Sequence, residues 1–303
     1  VQRRAERKRQ REEQKRLKSE AWQKHKAENI VFIGKGYSGG LCDKQTDTTK
    51  LTMGWLPIIR DERELAAFLG IDDRELRFLT YHRDVVKTDN YHRYSIPKKK
   101  GGERQIAAPK PLLKKVQGTI LTGLLERVSV SQSAHGFLKN KSVLSGARAH
   151  KAGPALLVNL DIRDFFPTIT FVRVRGLFQS LGYSGFVASL LAMICTDCER
   201  MPVEIKGEIR YVKVGERVLP QGSPASPMLT NILCRHMDRR IERLAGEYGF
   251  AYSRYADDIS LSFATMPEDH KMRAAVYNVM CAVENEGFQV NPDKTRYLRG
   301  NTR

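Results

Sequence analysis

Apolar and polar positions change period several times along this chain, and the changes mark its elements. Around the adjacent acids Asp257 and Asp258 the period is two: Phe250, Tyr252 and Tyr255 precede them, and Ile259, Leu261 and Phe263 alternate with serines after them. That pattern predicts a β-hairpin with both acids at its turn. Alternation also predicts strands over 91–97 and 103–107, joined by the turn Lys98-Lys99-Lys100-Gly101-Gly102, and a basic hairpin over 203–205 and 209–214. Residues 154–161 are nearly continuously apolar and end in Asp161, as in a central strand that delivers a carboxylate to its open end. Helical spacing covers 62–69, 72–80, 109–128, 171–181, 184–197, 228–244 and 268–286, the second entered through Asp72 as N-cap.

Two stretches fit neither period. Residues 1–28 hold eleven Lys or Arg and five Glu, with Leu17 and Trp22 as the only large apolar side chains. A helix polar all round cannot anchor itself in a core. It reads equally as a phosphate-binding or RNA-binding arm and as a solvated extension. Residues 30–54 turn to Gly, Ser, Thr, Asp and Lys and read as a flexible linker, because Gly34-Lys35-Gly36-Tyr37-Ser38-Gly39-Gly40 lacks the spacing of a phosphate loop.

Composition adds a partner class. With 303 residues, 41% hydrophobic positions and a formal charge of +18 from 52 basic and 34 acidic residues, the chain has material for a core and an attraction to polyanions. Nucleic acid is the leading candidate, since no apolar run approaches the ~20 residues of a membrane span and no secretion signal opens the chain. Five scattered cysteines suit a reducing, cytoplasmic compartment, and Cys195 and Cys198, without a second pair, read as structural thiols.

Asp161 with the Asp257-Asp258 pair is the chemical signal. Adjacent carboxylates repel, and hard oxygen donors suit Mg²⁺, although an ordinary Asp-Asp turn and an acid capping the next turn remain open for each taken alone. Phe165 and Phe166 follow Asp161 as an aromatic shelf, Gln221 and Gly222 lie in a loop of small residues, and Lys98, Lys99, Lys100 and Arg104 are placed to grip phosphates or to stay solvated. His135 and His150 are structural or RNA-contacting, because nothing local makes either a general base. Three acids on two strands in a basic chain suit two-metal phosphoryl transfer.

In this order the segments resemble a reverse transcriptase of the bacterial kind, most closely a retron enzyme, over residues 60–299. Tyr94-Ser95-Ile96-Pro97-Lys98-Lys99-Lys100-Gly101-Gly102-Glu103-Arg104 is similar to the fingers hairpin, which implies that Arg104 meets the incoming triphosphate. Leu160-Asp161-Ile162-Arg163-Asp164-Phe165-Phe166-Pro167 resembles the first palm motif, with Asp161 as metal ligand and Phe166 excluding a 2′ hydroxyl. Leu219-Pro220-Gln221-Gly222-Ser223-Pro224 resembles the loop against nucleotide and template, and Tyr255-Ala256-Asp257-Asp258 the family's signature turn. Asn291-Pro292-Asp293-Lys294-Thr295 resembles the next motif, which makes Lys294 a proton donor to pyrophosphate. Gly146-Ala147-Arg148-Ala149-His150 is similar to a retron Asn-Ala-x-x-His segment with Gly in place of Asn.

The resemblance implies an α+β right-hand polymerase: a basic helical N-terminal extension and linker over 1–55, fingers over 56–150, and a ferredoxin-like palm over 151–303 that stops before a thumb. It also implies two Mg²⁺ ions, replaceable by Mn²⁺, with deoxynucleoside triphosphates as substrates. A structured noncoding RNA would serve as template and primer, and the product would be a covalent RNA–DNA molecule (msDNA). An effector protein and a role in phage defence accompany it, with no membrane. A group II intron-like or other defence-associated reverse transcriptase, a non-catalytic RNA-binding scaffold and a palm-like nucleotide cyclase are the rival expectations.

Overall fold

Local sequence sets most helix ends in the computed structural model, which describes residues 2–97, 101–150 and 153–300. Helix α1 runs over Gln2–Glu28 and a short α2 over Thr48–Met53. Helix α3 (Glu62–Leu69) begins at Asp61, whose carboxylate accepts from the Arg63 and Glu64 amides, and ends at left-handed Gly70. Helix α4 (Asp73–Thr80) opens with a reciprocal capping box between Asp72 and Glu75. Strands β1 (Val85–Val86), β2 (Tyr91–Pro97) and β3 (Glu103–Pro109) follow, then α5 (Pro111–Gly123) and α6 (Val143–Arg148).

The second half holds β4 (Leu156–Asp161), α7 (Phe171–Leu181), α8 (Gly185–Cys195), β5 (Asp197–Ile205) and β6 (Glu208–Val218). Helices α9 (Ser226–Leu233) and α10 (Arg235–Tyr248), strands β7 (Phe250–Tyr255) and β8 (Asp258–Phe263), α11 (Asp269–Asn285) and β9 (Arg296–Arg299) complete it. The fold is mixed α+β. Its principal sheet is antiparallel in the order β7-β8-β4-β9, while β2 pairs with β3, and β1, β6 and β5 form a third sheet. Strand β4 is central in the principal sheet: Leu156, Val158 and Leu160 face the core, and Leu157 and Asn159 face the other way. Leu160 and Asp161 pair with Ile259 and Asp258 of β8. Register therefore carries the apolar residues to one face and the acids to the strand ends.

Four expectations change. Residues 30–54 are a packed strap, not a linker: Ile30, Ile33, Leu41 and Leu51 are buried, and Asp43 accepts from the Gly185 amide at 2.7 Å where α8 begins. Gly40 lies so close that a Cβ there would come within 2.8 Å of the Gly185 carbonyl. The small polar residues thus permit close approach to α8, a helix buried on every side. The helix expected over 109–128 ends at Gly123, because Leu124 leaves helical geometry (φ −128°, ψ −61°) for a 3-10 turn. The helix expected over 228–244 is divided at Cys234 (φ −75°, ψ −5°). The 203–214 hairpin is longer at both ends and carries an irregularity between Cys198 and Arg200.

Candidate functional site

The three acids meet at the end of β4 and β8. Tyr255 pairs with Asp258, so Ala256 and Asp257 form a two-residue turn. Ala256 holds φ 56°, a left-handed conformation that costs a non-glycine residue about 1 kcal/mol. The turn is fastened to β4 where the Ile162 amide donates to the Asp257 carbonyl at 3.0 Å, and the Asn291 amide donates to the Asp161 carbonyl at 2.7 Å. Lys294 Nζ donates to both Asp161 carboxylate oxygens, at 2.8 and 3.0 Å.

Burial raises the pKa of Asp257 and Asp258 above the usual carboxylate range, and repulsion from Asp161, with Asp257 also acting on Asp258, adds to it. The hydrogen bond to Asp161 raises Lys294. Among the described residues, no group of three or more His, Cys, Asp or Glu side chains is drawn together as a preformed cation site. The donor chemistry nonetheless fits a hard dication: three carboxylates share one strand end, and burial with mutual repulsion raises the pKa of two of them, an effect that the nearby Lys294 ammonium opposes.

Two clefts meet at this strand end. One, of about 1000 Å³, lies over the outward face of the principal sheet, lined by Asn159, Ser253, Ser260 and His150 among others. The other, of about 1770 Å³, lies beneath the β2–β3 hairpin and is lined by Arg104, Phe166, Gln221 and Gly222. Asp161 and Lys294 line both. The sequence-selected groups Arg104, Phe166, Gln221, Gly222, Asp161, Asp257 and Lys294 thus share one cavity. Asp258 lines the first cleft instead. Lys98, Lys99 and Lys100 lie outside the described residues.

Gly222 lines the second cleft and also packs against the protein: at φ 120°, a Cβ would stand 2.8 Å from the Ala107 carbonyl. Beside it the Ala107 amide donates to the Gln221 carbonyl at 2.8 Å. The loop is therefore docked on β3. His150 is likewise occupied internally, with Nδ1 and Nε2 each 2.7 Å from a serine hydroxyl, Ser262 and Ser253, and burial lowers its pKa. It braces β7 against β8, which leaves neither ring nitrogen for an RNA contact in this conformation.

Sequence reasoning passed over the groups that hold the site. Phe137 projects into the second cleft from a left-handed backbone (φ 61°), with its ring 6.4 Å from Phe166 and 6.2 Å from Tyr255. Gly136 before it packs against the turn: a Cβ there would lie 2.6 Å from the Ala256 nitrogen. Arg254 is fully buried on the core side, paired with Asp238 and donating to the Asn231 side chain and the Ala256 carbonyl, each at 3.1 Å. At the hairpin, Arg93 donates to Asp89 at 2.7 Å and Asp197 at 2.6 Å, which ties β2 to β5. The partners of Arg254 lie on helices that no local sequence pattern links to it.

A strand end that carries the acids lies between two clefts, one under the β2–β3 hairpin and one over the outward face of the principal sheet. Residues 96–302 match the model of the family described as reverse transcriptase (RNA-dependent DNA polymerase), and the chain belongs to that family. Within it the similarity is to retron enzymes. The chain is 41% identical over 259 residues to the Retron Mx65 reverse transcriptase of Myxococcus xanthus, covering 86% of this chain and 60% of that protein. It is 34% identical over 252 residues to the Retron Ec86 reverse transcriptase of Escherichia coli, covering 82% and 70%. It spans 60% and 62% of the lengths of the Mx65 and Mx162 enzymes. A solved structure of telomerase from Candida albicans with a fragment of telomeric RNA is similar over 86% of this chain and 50% of that one, at 12% identity and a TM-score of 0.49.

Proposed function

We propose that this chain carries the catalytic centre of a retron RNA-directed DNA polymerase that extends a structured noncoding RNA with deoxynucleotides into a covalent RNA–DNA molecule. The observation that carries this reading is the register of Asp161 opposite Asp258 with Asp257 in the adjoining turn, at the junction of two clefts. The principal sheet, with strands numbered 2-3-1-4 in chain order, has the arrangement of a ferredoxin-like palm, and the β2–β3 hairpin supplies the fingers over it.

Asp161, Asp257 and Asp258 would hold Mg²⁺, or Mn²⁺ in its place. Bound there, the metal supplies activation of a 3′ hydroxyl and charge neutralisation on the triphosphate. The protein's own groups do the rest. Arg104 reaches the cleft from β3, close enough to lower the pKa of Asp257, and offers a planar fork to phosphate oxygens. Phe166, propped between Phe165 and Phe137 in the second cleft, would discriminate against a sugar 2′ hydroxyl. Lys294 holds Asp161 and has an exposed ammonium from which a proton can pass to the leaving pyrophosphate. The cleft over β7 and β8, which mixes Val143, Leu144 and Leu157 with Asn159, Ser260 and Arg296, would receive the primer–template duplex. Lys98, Lys99 and Lys100 would add phosphate contacts at the hairpin tip.

A cytoplasmic setting suits the five unpaired cysteines, and among the described residues no helix is long and apolar enough to cross a membrane. An effector protein and a role in phage defence extend the retron reading. The test is labelled deoxynucleotide incorporation by the protein co-expressed with the RNA encoded beside its gene. DNA joined covalently to that RNA is expected. Extension of an unrelated primed RNA alone would discard the retron assignment and keep the polymerase.

A further inference from the structure

Among the described residues, helix α1 contributes none to either cleft. Its residues carry an asymmetry that composition hides. At about 100° per residue, Arg7, Arg11, Lys15, Lys18 and Lys26 fall on one arc of about 100°, together with Trp22 and His25. The acids Glu6, Glu12, Glu13 and Glu20 all lie outside that arc, and the ion pair Arg16–Glu20 is on the opposite side. Trp22 is half exposed, stacked on His25 at 5.6 Å and 24°, with Lys26 Nζ 5.6 Å from its ring. The helix is rooted in the body where Arg77 donates to the carbonyls of Lys26 and Asn29, at 3.1 and 3.3 Å.

We propose that this acid-free face of α1 is a second RNA-binding surface, separate from the catalytic clefts, that tracks the phosphate backbone of a structured RNA and stacks a base on the Trp22–His25 pair. Charge complementarity selects a polyanion. The lack of an apolar stripe excludes insertion into a lipid surface, for which Leu17 and Trp22 are too few. The stacked rings beside cations suit an unpaired base better than an acidic protein face. Twenty-seven residues at 1.5 Å each make a rod of about 40 Å, long enough to follow several phosphates beyond the clefts. That the polyanion is RNA rests on the polymerase reading above.

The test is fluorescence anisotropy of a labelled stem-loop RNA with a single-stranded tail, titrated with the whole protein across a salt series. The variant Arg7→Gln/Arg11→Gln/Lys15→Gln/Lys18→Gln keeps good helix formers, and circular dichroism checks that α1 persists. At about 0.7 to 0.9 per lost contact, the slope of log affinity against log salt is expected to fall by about 3, with affinity at least tenfold weaker at low salt. Trp22→Ala is expected to weaken binding to the tailed RNA more than to the blunt stem. The control Arg9→Gln/Arg16→Gln/Lys24→Gln, on the acid-bearing side, should leave the slope almost unchanged. Equal losses in the two sets, no loss in the first, or tighter binding to phosphatidylserine vesicles than to RNA would each overturn the proposal. Incorporation on a short primed template, measured in parallel, reports separately on the polymerase reading.

Discussion

Arg254 and Asp238 form a fully buried bidentate pair, Nε and Nη2 of the guanidinium each 2.8 Å from a carboxylate oxygen. The third nitrogen donates to the Ala256 carbonyl inside the turn that carries Asp257. Helix α10 is thereby connected to the Ala256-Asp257 turn by one side chain. The pair explains how Ala256 stays in an unfavourable backbone region while two repelling carboxylates follow it.

Replacing Arg254 by Met would leave Asp238 charged and unpaired in the core, a change that costs about 3–5 kcal/mol. Urea denaturation should show that loss. Adding Asp238→Leu should recover most of the stability, yet incorporation should stay low because the Ala256 carbonyl has lost its donor. Recovery of both together would show that the pair does not position the turn.

Gly136→Ala sets a methyl group against the Ala256 nitrogen, where only 2.6 Å is free. The turn must shift, and a displacement near 1 Å at a reacting centre costs about a hundredfold in rate. Steady-state kinetics should show the fall in kcat with RNA affinity held. An unchanged kcat would mean that the turn is set by β7 and β8 alone.

Phe166→Ala removes the ring propped by Phe165 and Phe137. Discrimination against ribonucleotides, measured as the ratio of kcat/KM values, should fall at least about tenfold, or 1.4 kcal/mol. If the ratio holds, another group guards the sugar.

His82 sets a pH dependence. Burial, then the charges of Arg217, Arg200 and Lys213, lower its pKa to about 4. Nδ1 faces an Arg217 nitrogen at 3.3 Å, and Nε2 lies 3.4 Å from Asp84 without a hydrogen bond. The unfolded chain takes the proton near pH 6.5 and the folded chain only near 4, so stability is full above 6.5 and declines as pH falls between them, by about 3 kcal/mol. Denaturation of the His82→Gln protein at several pH values should lack this decline. A parallel decline in the variant would assign it to other groups.

Much of this architecture was legible because its signals are local. The Asp72 cap, the alternation around Asp257-Asp258 and the apolar run into Asp161 each specify an element within a few residues, and all three formed as expected. The proposed chemistry at 161, 257 and 258 was read from residue type and strand ends, and the structure brings the three residues to one strand end. What escaped was long-range. The strap over 30–54 reads as linker because the glycines that let it approach α8 also characterise loops. Leu124 and Cys234 lie inside helical periods that continue past them. Arg254 sits beside the most conspicuous motif in the chain, but Asp238 and Asn231 become its partners only when α9 and α10 fold beneath β7. Gly222 shows the same limit: its type was informative, while the surface it approaches was not.

The central claim is that Asp161, Asp257 and Asp258 form one polymerising centre, and the most direct measurement is incorporation of labelled deoxynucleotide on a primed RNA template by the unaltered and Asp257→Ala proteins, with RNA affinity measured beside it. The expected result is labelled product that requires divalent metal and disappears in Asp257→Ala, at equal RNA affinity, since a metal ligand and not a phosphate contact has been removed. Equal incorporation by the two proteins would contradict the account.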